Sequence, residues 1–379
     1  MRAPLLTALA LGLTGAAPVP RRPSRSSGCG VDPPYDPREQ RQSERINILG
    51  RWYLLALPAG TQSGGGVVYD KNTPHPIIIN FHGMGMGPRA EQSWSGLTPL
   101  ANQQGIIAVY PSGMNDCTES DDCYSSWAGG GTANARSPDG DPTCTENTDV
   151  YWANYQSCLE QGLGNAPQGS LNPPCNIASC VDDIAWATAV LDHIESTLCI
   201  DTSRIQITGS SMGGIFAMAF GAKLAHRVSS VVPITSLPLR GYAREMLPSI
   251  AGQGVHVMSI VGNFDQVMPR EGGESFEGFI YDSQQDFTDA WASYHGALPG
   301  PSVEYETPGE PGEPRWRELR CMAYEWAGGT RPTGAGEVVR CDLNIGHNGQ
   351  QRNYAPELKY QFLMNFPRED RLPSNDTVA

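Results

Sequence analysis

The sequence predicts an α/β fold in which a doubly wound, mostly parallel sheet carries a disulfide-rich insertion. Short apolar runs alternate along the chain with segments of helical periodicity, which is typical of parallel sheets covered by helices on both faces. The runs are continuously apolar, as expected for strands buried on both faces. The alternation stops between residues 117 and 180, where six of the ten cysteines lie. We therefore expect disulfides to hold this insertion.

The individual elements follow from local patterns. Apolar runs, most of them rich in β-branched residues, predict strands at 51–57, 77–81, 105–110, 205–208, 228–234, 255–261 and 337–343. A helix at 181–198 is predicted because Ile184, Leu191 and Leu198 recur at helical spacing. Its first turn contains Asp182 and Asp183, where the helix dipole favours anions. Further helices are expected directly after the strand 205–208 and at 283–295 and 355–366.

The organisation of the chain predicts one catalytic domain at 45–368, with the insertion inside it. Residues 1–17 combine an arginine, a short apolar run and a small-residue site, which is the pattern of a secretory signal peptide. Residues 18–44 are rich in Pro, Arg and Ser and predict a linker or loosely held segment, and 369–379 a polar tail. The rest of the sequence contains no run of about 18 apolar residues, so we expect no membrane anchor. We expect a secreted protein.

Charge and cysteine usage exclude several classes of partner. A formal net charge of −14 disfavours nucleic acid, whose phosphates require clustered Lys and Arg. The even number of cysteines fits paired half-cystines in an oxidising compartment, and we include Cys29 among them. Their spacing lacks the tight paired pattern of a zinc ribbon, so we expect no metal and no cofactor. We also expect no membrane partner and a monomeric protein.

The strongest local signal is the sequence GSSMG at 209–213. It lies between an apolar strand and a helix, which is the context of a nucleophile elbow with Ser211 at its centre. Small residues are required two positions before and after the serine, because larger ones would collide with neighbouring backbone. Gly209 and Gly213 occupy these positions. We therefore predict that Ser211 is a catalytic nucleophile.

A serine nucleophile needs a histidine base and an acid that orients it. In α/β-hydrolases these follow the serine in the order acid, then histidine, on loops after later strands. His347 is predicted as the base because it alone of the downstream histidines (His226, His256, His295 and His347) lies in a glycine-flanked loop after the final strand. Asp265 is predicted as the acid because it follows the strand 255–261, and Asp342 is its rival within a strand.

An oxyanion also needs backbone N–H donors. One is predicted at Met212, directly after the nucleophile, and the second at Met84, in the glycine-rich loop 82–87 that follows the strand 77–81. Gly83 is the alternative for the second donor. We expect His82 to position this loop rather than to act as a general base.

Taken together, these motifs resemble the secreted esterases of carbohydrate esterase family 1, which include feruloyl esterases and polyhydroxybutyrate depolymerases. The matching segments are 27–30 (SGCG), 80–83 (NFHG), 181–184 (VDDI), 199–201 (CID), 209–213, Asp265 with Pro269, and 346–347 (GH). The resemblance implies an α/β-hydrolase fold, a Ser-Asp-His triad and a disulfide near the histidine, here Cys321–Cys341.

The function that these expectations define is secreted serine-esterase hydrolysis of feruloyl or related hydroxycinnamoyl esters of cell-wall polysaccharide. The alternatives are a depolymerase for polyhydroxyalkanoate or another aliphatic polyester, an acetyl xylan esterase, or an inactive hydrolase-fold protein that binds polysaccharide. Three aromatic residues of the insertion, Tyr124, Trp127 and Trp152, either line an acyl pocket or fill a small satellite core.

Overall fold

The structure is a computed structural model. The residues it describes are 24–39, 43–61, 63–115, 125–133, 136–145, 155–161, 177–308, 319–348 and 355–368. The predicted signal peptide, the polar tail, Tyr124 and Trp152 therefore lie outside the described residues, as do Cys117, Cys123 and Cys175 of the insertion.

The strands are, in chain order, β1 (Glu44–Ile48), β2 (Arg51–Ala56), β3 (His75–Phe81), β4 (Ile107–Pro111), β5 (Ile200–Ser210), β6 (Ser230–Ile234), β7 (His256–Gly262), β8 (Gly273–Glu274), β9 (Ile280–Tyr281), β10 (Val303–Glu304), β11 (Leu319–Ala323) and β12 (Val338–Leu343). The helices are α1 (Pro88–Ser95), α2 (Leu97–Gln104), α3 (Gln156–Glu160), α4 (Asp183–Thr197), α5 (Met212–Lys223), α6 (Gln284–His295) and α7 (Ala355–Asn365).

One ten-stranded sheet forms the centre of the described structure, in the order β1-β2-β4-β3-β5-β6-β7-β12-β11-β10. The strands from β4 to β12 in this order run parallel, whereas β1, β2, β10 and β11 pair antiparallel at the two edges. The chain passes from β3 outward to β4 and then returns to β5 on the other side of β3. The carboxyl ends of β3 and β5 therefore flank the point where the winding reverses, which is where open α/β sheets bind ligands.

The predicted doubly wound sheet is confirmed, because both faces of its central strands are buried. In β3, Ile77, Ile79 and Phe81 pack in the hydrophobic cluster that includes residues of α4 and α5. Ile78, between them, packs in a second cluster with residues of α2 and α7. The alternation of side chains thus buries successive residues against opposite layers, which explains the continuous apolar run.

Most predicted elements occur close to their expected bounds, but the amino-terminal edge of the sheet was not predicted. Strand β1 begins at Glu44, where the sequence indicated the end of a linker. It pairs with β2 alone, and its side chains are alternately exposed and half-buried. An edge strand of this kind carries charged residues because one face and one edge meet water. For this reason it lacks the apolar run that identified the central strands.

The described part of segment 18–44 is attached to the domain rather than loosely held. Cys29 forms a disulfide with Cys199, which immediately precedes β5. The Ser26 N–H donates to the Ile200 carbonyl oxygen at 3.1 Å, and the Ser26 hydroxyl donates to the Leu198 carbonyl oxygen at 2.6 Å. These contacts correct the expectation of a loose segment for residues 24–39. A composition rich in Pro and Ser did not reveal them, because the disulfide partner lies 170 residues away.

Two further disulfides are described. Cys321 and Cys341 are bonded across the antiparallel neighbours β11 and β12, where they are also partners in register. The pairing that the family resemblance implied is therefore confirmed. Within the insertion, Cys158 is bonded to Cys180. No helix among the described residues is both long and apolar enough to cross a membrane.

Candidate active site

A strained turn joins β5 to α5 and holds Ser211. The serine has φ 54° and ψ −124°, a left-handed conformation that non-glycine residues rarely adopt. A Cβ added to Gly209 would lie 2.8 Å from the Phe81 carbonyl oxygen and even closer to Gly213. A Cβ on Gly213 would lie 2.6 Å from the Phe81 carbonyl carbon. Both positions therefore admit only glycine, as the sequence predicted.

The structure brings the three predicted side chains together. The Ser211 hydroxyl lies 2.9 Å from Nε2 of His347, and Nδ1 of His347 lies 2.8 Å from Oδ2 of Asp265. The other carboxylate oxygen of Asp265 accepts the N–H groups of Val267 and Met268, each at 2.9 Å. A carboxylate held in this way accepts a hydrogen bond from the Nδ1–H group, which keeps the proton on Nδ1 and leaves Nε2 free to accept the hydroxyl proton of Ser211.

The sheet explains why residues so distant in sequence meet. Asp265 lies just beyond the end of β7, and His347 just beyond the end of β12. These two strands are parallel neighbours, with Gly262 paired to Leu343 at their carboxyl ends. Ser211 follows the carboxyl end of β5, two strands away at the same edge of the sheet. Parallel strands thus deliver all three loops to one edge.

The rival acid takes part in a different interaction. Asp342 lies within β12. Its carboxylate forms ion pairs with Nη1 of Arg270 at 3.1 Å and with Nε of Arg340 at 3.6 Å. In the described part of the chain its carboxylate makes no contact with His347. The structure thus places Asp265, and not Asp342, against the imidazole.

The other downstream histidines lie away from Ser211. His256 begins β7 and accepts the Glu337 N–H at 2.8 Å, while His295 ends α6 and accepts the Gly336 N–H at 3.0 Å. Burial lowers the pKa of both imidazoles, to about 4 for His295. Neutral imidazoles that accept backbone N–H groups are structural. His226 is exposed and follows α5.

The loop after β3 borders the serine. A Cβ added to Gly83 would lie 3.4 Å from Cβ of Ser211, so the two backbones are adjacent. Two N–H groups of this loop are already bonded: Gly85 donates to the Ser125 carbonyl oxygen at 3.0 Å and Met86 to the Gly83 carbonyl oxygen at 3.2 Å. Met84 lies between them and borders the same cavity as Ser211.

A buried histidine holds this loop. Nδ1 of His82 donates to the Gly83 carbonyl oxygen at 2.8 Å, and Nε2 accepts the Gly113 N–H at 2.9 Å. Full burial lowers the pKa of His82 to about 4, so the ring stays neutral and satisfies both partners. This arrangement agrees with the predicted positioning role.

A buried carboxylate that no sequence motif indicated contacts the residue before Ser211. Glu91 of α1 is only 2 % exposed. Its Oε2 accepts the Ser210 hydroxyl at 3.0 Å, and its Oε1 accepts the Asn80 amide at 2.8 Å. Burial raises the pKa of Glu91, and the buried Lys359 of α7 opposes that shift. Glu91 thus connects α1, which directly follows the loop 82–87, to the residue before Ser211.

A cavity of about 590 Å³ opens beside Ser211 and His347. Its walls are largely apolar and include Met84, Met86, Trp94, Val267, Met268, Phe276, Phe279 and Tyr281. Trp94 is 49 % exposed and Phe276 68 % exposed. Neither was singled out by the sequence, because α1 and the loop between β8 and β9 carried no recognisable motif. One carboxylate, Glu277, also lines this cavity.

Trp127, one of the three aromatic residues considered for an acyl pocket, belongs to the core. It is fully buried, its ring stacks on Phe216 at 5.1 Å, and its Nε1 donates to the His82 carbonyl oxygen at 2.9 Å. It therefore supports the loop 82–87 from behind and does not line the cavity. In the described parts of the chain, no group of three His, Cys, Asp or Glu side chains could hold a metal ion.

The strand order and the elbow after β5 define the fold as an α/β-hydrolase. No family model matches the chain. It is 24% identical over 347 residues to a probable feruloyl esterase C of Aspergillus terreus, covering 89% of this chain and 94% of that protein. It is 20% identical over 212 residues to a bifunctional acetylxylan esterase/xylanase of Neocallimastix patriciarum, covering 56% of this chain and 22% of that protein.

Among solved structures, an acetyl xylan esterase from Aspergillus awamori matches with a TM-score of 0.42 and 11% identity, over 80% of this chain and 93% of that chain. The predicted resemblance to carbohydrate esterase family 1 is confirmed by the sequence relatives. The chain is a carboxylic ester hydrolase similar to these enzymes.

Proposed function

We propose that this chain is a secreted serine esterase that hydrolyses hydroxycinnamoyl esters of cell-wall polysaccharide, with Ser211 as nucleophile, His347 as general base and Asp265 as the orienting acid. The observation that carries the proposal is the unbroken hydrogen-bond chain from Asp265 through His347 to Ser211, at the edge of an apolar cavity. A binding protein would have no use for this relay, which argues against an inactive hydrolase-fold protein.

The proposed reaction proceeds in two halves. Nε2 of His347 takes the hydroxyl proton while Oγ of Ser211 attacks the ester carbonyl carbon. The resulting oxyanion accepts hydrogen bonds from the N–H groups of Met212 and Met84. The imidazolium then gives its proton to the departing alcohol, which leaves an acyl-enzyme. In the second half, His347 takes a proton from water, the hydroxide attacks the acyl group, and Ser211 regains its proton as the free acid departs.

The identity of the acid is tested by Asp265→Asn. The backbone N–H groups of Val267 and Met268 would bind the amide oxygen, so the amide NH₂ would face Nδ1 of His347. That contact favours the tautomer protonated on Nε2, which cannot accept the serine proton. We expect kcat/KM for p-nitrophenyl acetate to fall by about 10³- to 10⁴-fold.

The control is Asp342→Asn, which removes the ion pair with Arg270 of the loop that follows β7. This partly exposed pair contributes about 1 kcal/mol or less to stability, so we expect activity close to that of the unaltered enzyme. A large loss in Asp342→Asn together with retained activity in Asp265→Asn would reverse the assignment of the acid.

The choice of substrate is supported by the relative and by the cavity. A relative that is covered over 94% of its length carries the name probable feruloyl esterase C. The apolar cavity walls, with the aromatic rings of Trp94 and Phe276, suit a planar aromatic acyl group. Two alternatives retain support. The match to an acetylxylan esterase/xylanase favours an acetyl group on xylan, and the exposure of Trp94 and Phe276 favours an aliphatic polyester surface.

A panel of esters separates these substrates. Purified enzyme is assayed for release of free acid from methyl ferulate, acetylated xylan and a hydroxybutyrate oligomer, with the Ser211→Ala protein as the background. We expect the highest kcat/KM for methyl ferulate. A higher value for acetylated xylan or for the oligomer would replace the proposed substrate by that one.

The remaining features of the proposal concern location and assembly. We propose that residues 1–17 direct export, that the catalytic domain spans 45–368, and that the enzyme acts as a monomer outside the cell. The disulfides Cys29–Cys199, Cys158–Cys180 and Cys321–Cys341 support an oxidising compartment.

A further inference from the structure

A single carboxylate lines the otherwise apolar cavity beside the serine. Glu277 lies in the loop between β8 and β9, together with Phe276 and Phe279, and borders the same space as Ser211 and His347. The proposed relay does not use it, since His347 is bonded to Asp265 and Ser211. Its presence in such a wall therefore requires another explanation.

Backbone hydrogen bonds hold the loop that carries this carboxylate. The Ser275 N–H donates to the Phe279 carbonyl oxygen at 2.8 Å, and the Gly278 N–H donates to the Ser275 carbonyl oxygen at 2.9 Å. The Thr145 N–H of the insertion also donates to the Gly278 carbonyl oxygen at 2.8 Å. The backbone of this turn is therefore fixed on both sides, and ordering it costs little on binding.

The carboxylate itself has no hydrogen-bond or ion-pair partner among the residues that the structure describes. It is partly buried, and burial raises the pKa of Glu277, with Asp265 acting in the same direction and His347 opposing it. A partly buried carboxylate at the wall of a cavity is free to accept a hydrogen bond from a ligand, which replaces water as the donor. A hydroxyl group is the neutral donor that fits an apolar cavity, whereas an anionic group would be repelled.

We propose that Glu277 is a specificity-determining residue that accepts a hydrogen bond from a hydroxyl group of the substrate and disfavours esters with anionic groups at this position. The inference rests on the proposed function, because it assumes that the cavity beside Ser211 receives the ester. The hydroxyl belongs either to the phenol of the acyl group or to the sugar alcohol. Both sources present the same chemistry to the carboxylate.

The acyl source is tested with methyl esters that differ only in the ring substituent. Methyl ferulate and methyl 4-hydroxycinnamate carry a phenol, whereas methyl 3,4-dimethoxycinnamate and methyl cinnamate do not. We expect Glu277→Leu to lower kcat/KM for the phenolic esters by about 10- to 100-fold, the usual range for a hydrogen bond to a charged group, and to leave the other two nearly unchanged. Glu277→Gln keeps an acceptor oxygen without the charge. Its kcat/KM for the phenolic esters should lie between the values of Glu277→Leu and of the unaltered enzyme.

The alcohol source is tested with the 3,4-dimethoxycinnamoyl ester of arabinose against the corresponding methyl ester. If the sugar supplies the hydroxyl, Glu277→Leu lowers kcat/KM only for the arabinose ester, and the phenolic preference is unaffected. A selective loss of kcat/KM for the phenolic esters or for the arabinose ester supports the proposal, and it identifies the phenol or the sugar as the source of the hydroxyl group.

The matched control is Glu274→Gln. Glu274 lies on β8 of the same hairpin, is exposed, accepts the Thr145 hydroxyl at 3.2 Å and does not line the cavity. Glu274→Gln should leave two ratios of kcat/KM unchanged: that of the phenolic to the non-phenolic methyl esters, and that of the arabinose ester to the corresponding methyl ester. Glu277 would be rejected as a specificity residue if Glu277→Leu and Glu277→Gln changed neither ratio, or if they lowered kcat/KM equally for every ester, as an effect through His347 would.

Failure of this inference is distinguishable from failure of the proposed function. If Ser211→Ala is inactive and the Glu277 variants leave the ratios of kcat/KM between the paired substrates unchanged, only the role of Glu277 is rejected. Full turnover in Ser211→Ala would instead reject the proposed serine mechanism itself.

Discussion

Ser211→Ala is expected to reduce kcat for p-nitrophenyl acetate by about 10⁴- to 10⁶-fold, since it removes the attacking oxygen and leaves His347 without a proton to accept. The fold should persist, because alanine tolerates the φ of 54° no worse than serine does and only one side-chain hydrogen bond is lost. The measurement pairs the rate constant with the denaturation midpoint in urea. A folded protein without turnover is the expected result.

The adjacent serine provides the control. The Ser210 hydroxyl donates to Glu91, not to His347, so Ser210→Ala should lose about tenfold or less in kcat, through a small displacement of the elbow. This pair of variants separates two neighbouring hydroxyl groups of one turn. An inactive Ser210→Ala beside an active Ser211→Ala would transfer the nucleophile to residue 210.

Gly213→Ala is expected to lower the free energy of unfolding by about 3–5 kcal/mol and to abolish most activity. The added methyl group would lie 2.6 Å from the Phe81 carbonyl carbon and closer still to the Phe81 and His82 carbonyl oxygens. These atoms are backbone, so no side-chain rotation relieves the overlap. Either α5 or the loop 82–87 must move, and each movement separates Ser211 from the proposed oxyanion donors.

Gly87→Ala is the matched control, since it lies at the end of the same loop and a Cβ there meets nothing within 4 Å. Its φ of −152° suits any residue, and the expected change in stability is about 1 kcal/mol or less. Urea denaturation and kcat/KM are measured for both glycine variants. Stability and activity equal to those of the unaltered enzyme in Gly213→Ala would refute the steric account of the elbow.

Local patterns predicted the central strands but not the periphery. The runs around Ile77 and Val257 were recognisable because these strands are buried on both faces, so most of their residues are apolar. Strand β1 and helix α1 lie at the surface and mix polar with apolar residues, so their sequences resemble those of loops. The anchoring of Cys29 was hidden for a different reason, since a disulfide depends on a partner that is distant along the chain.

The sequence alone determined the elbow. A side chain at Gly209 would collide with Gly213, and a side chain at either glycine would collide with backbone that any such turn must approach. Tertiary structure decided which carboxylates meet which partners. Asp265 and Asp342 were both plausible acids, and the parallel register of β7 and β12 left only Asp265 beyond its strand, facing His347. The positions of Glu91 and Glu277 likewise depend on contacts between remote segments, which composition and local spacing do not encode.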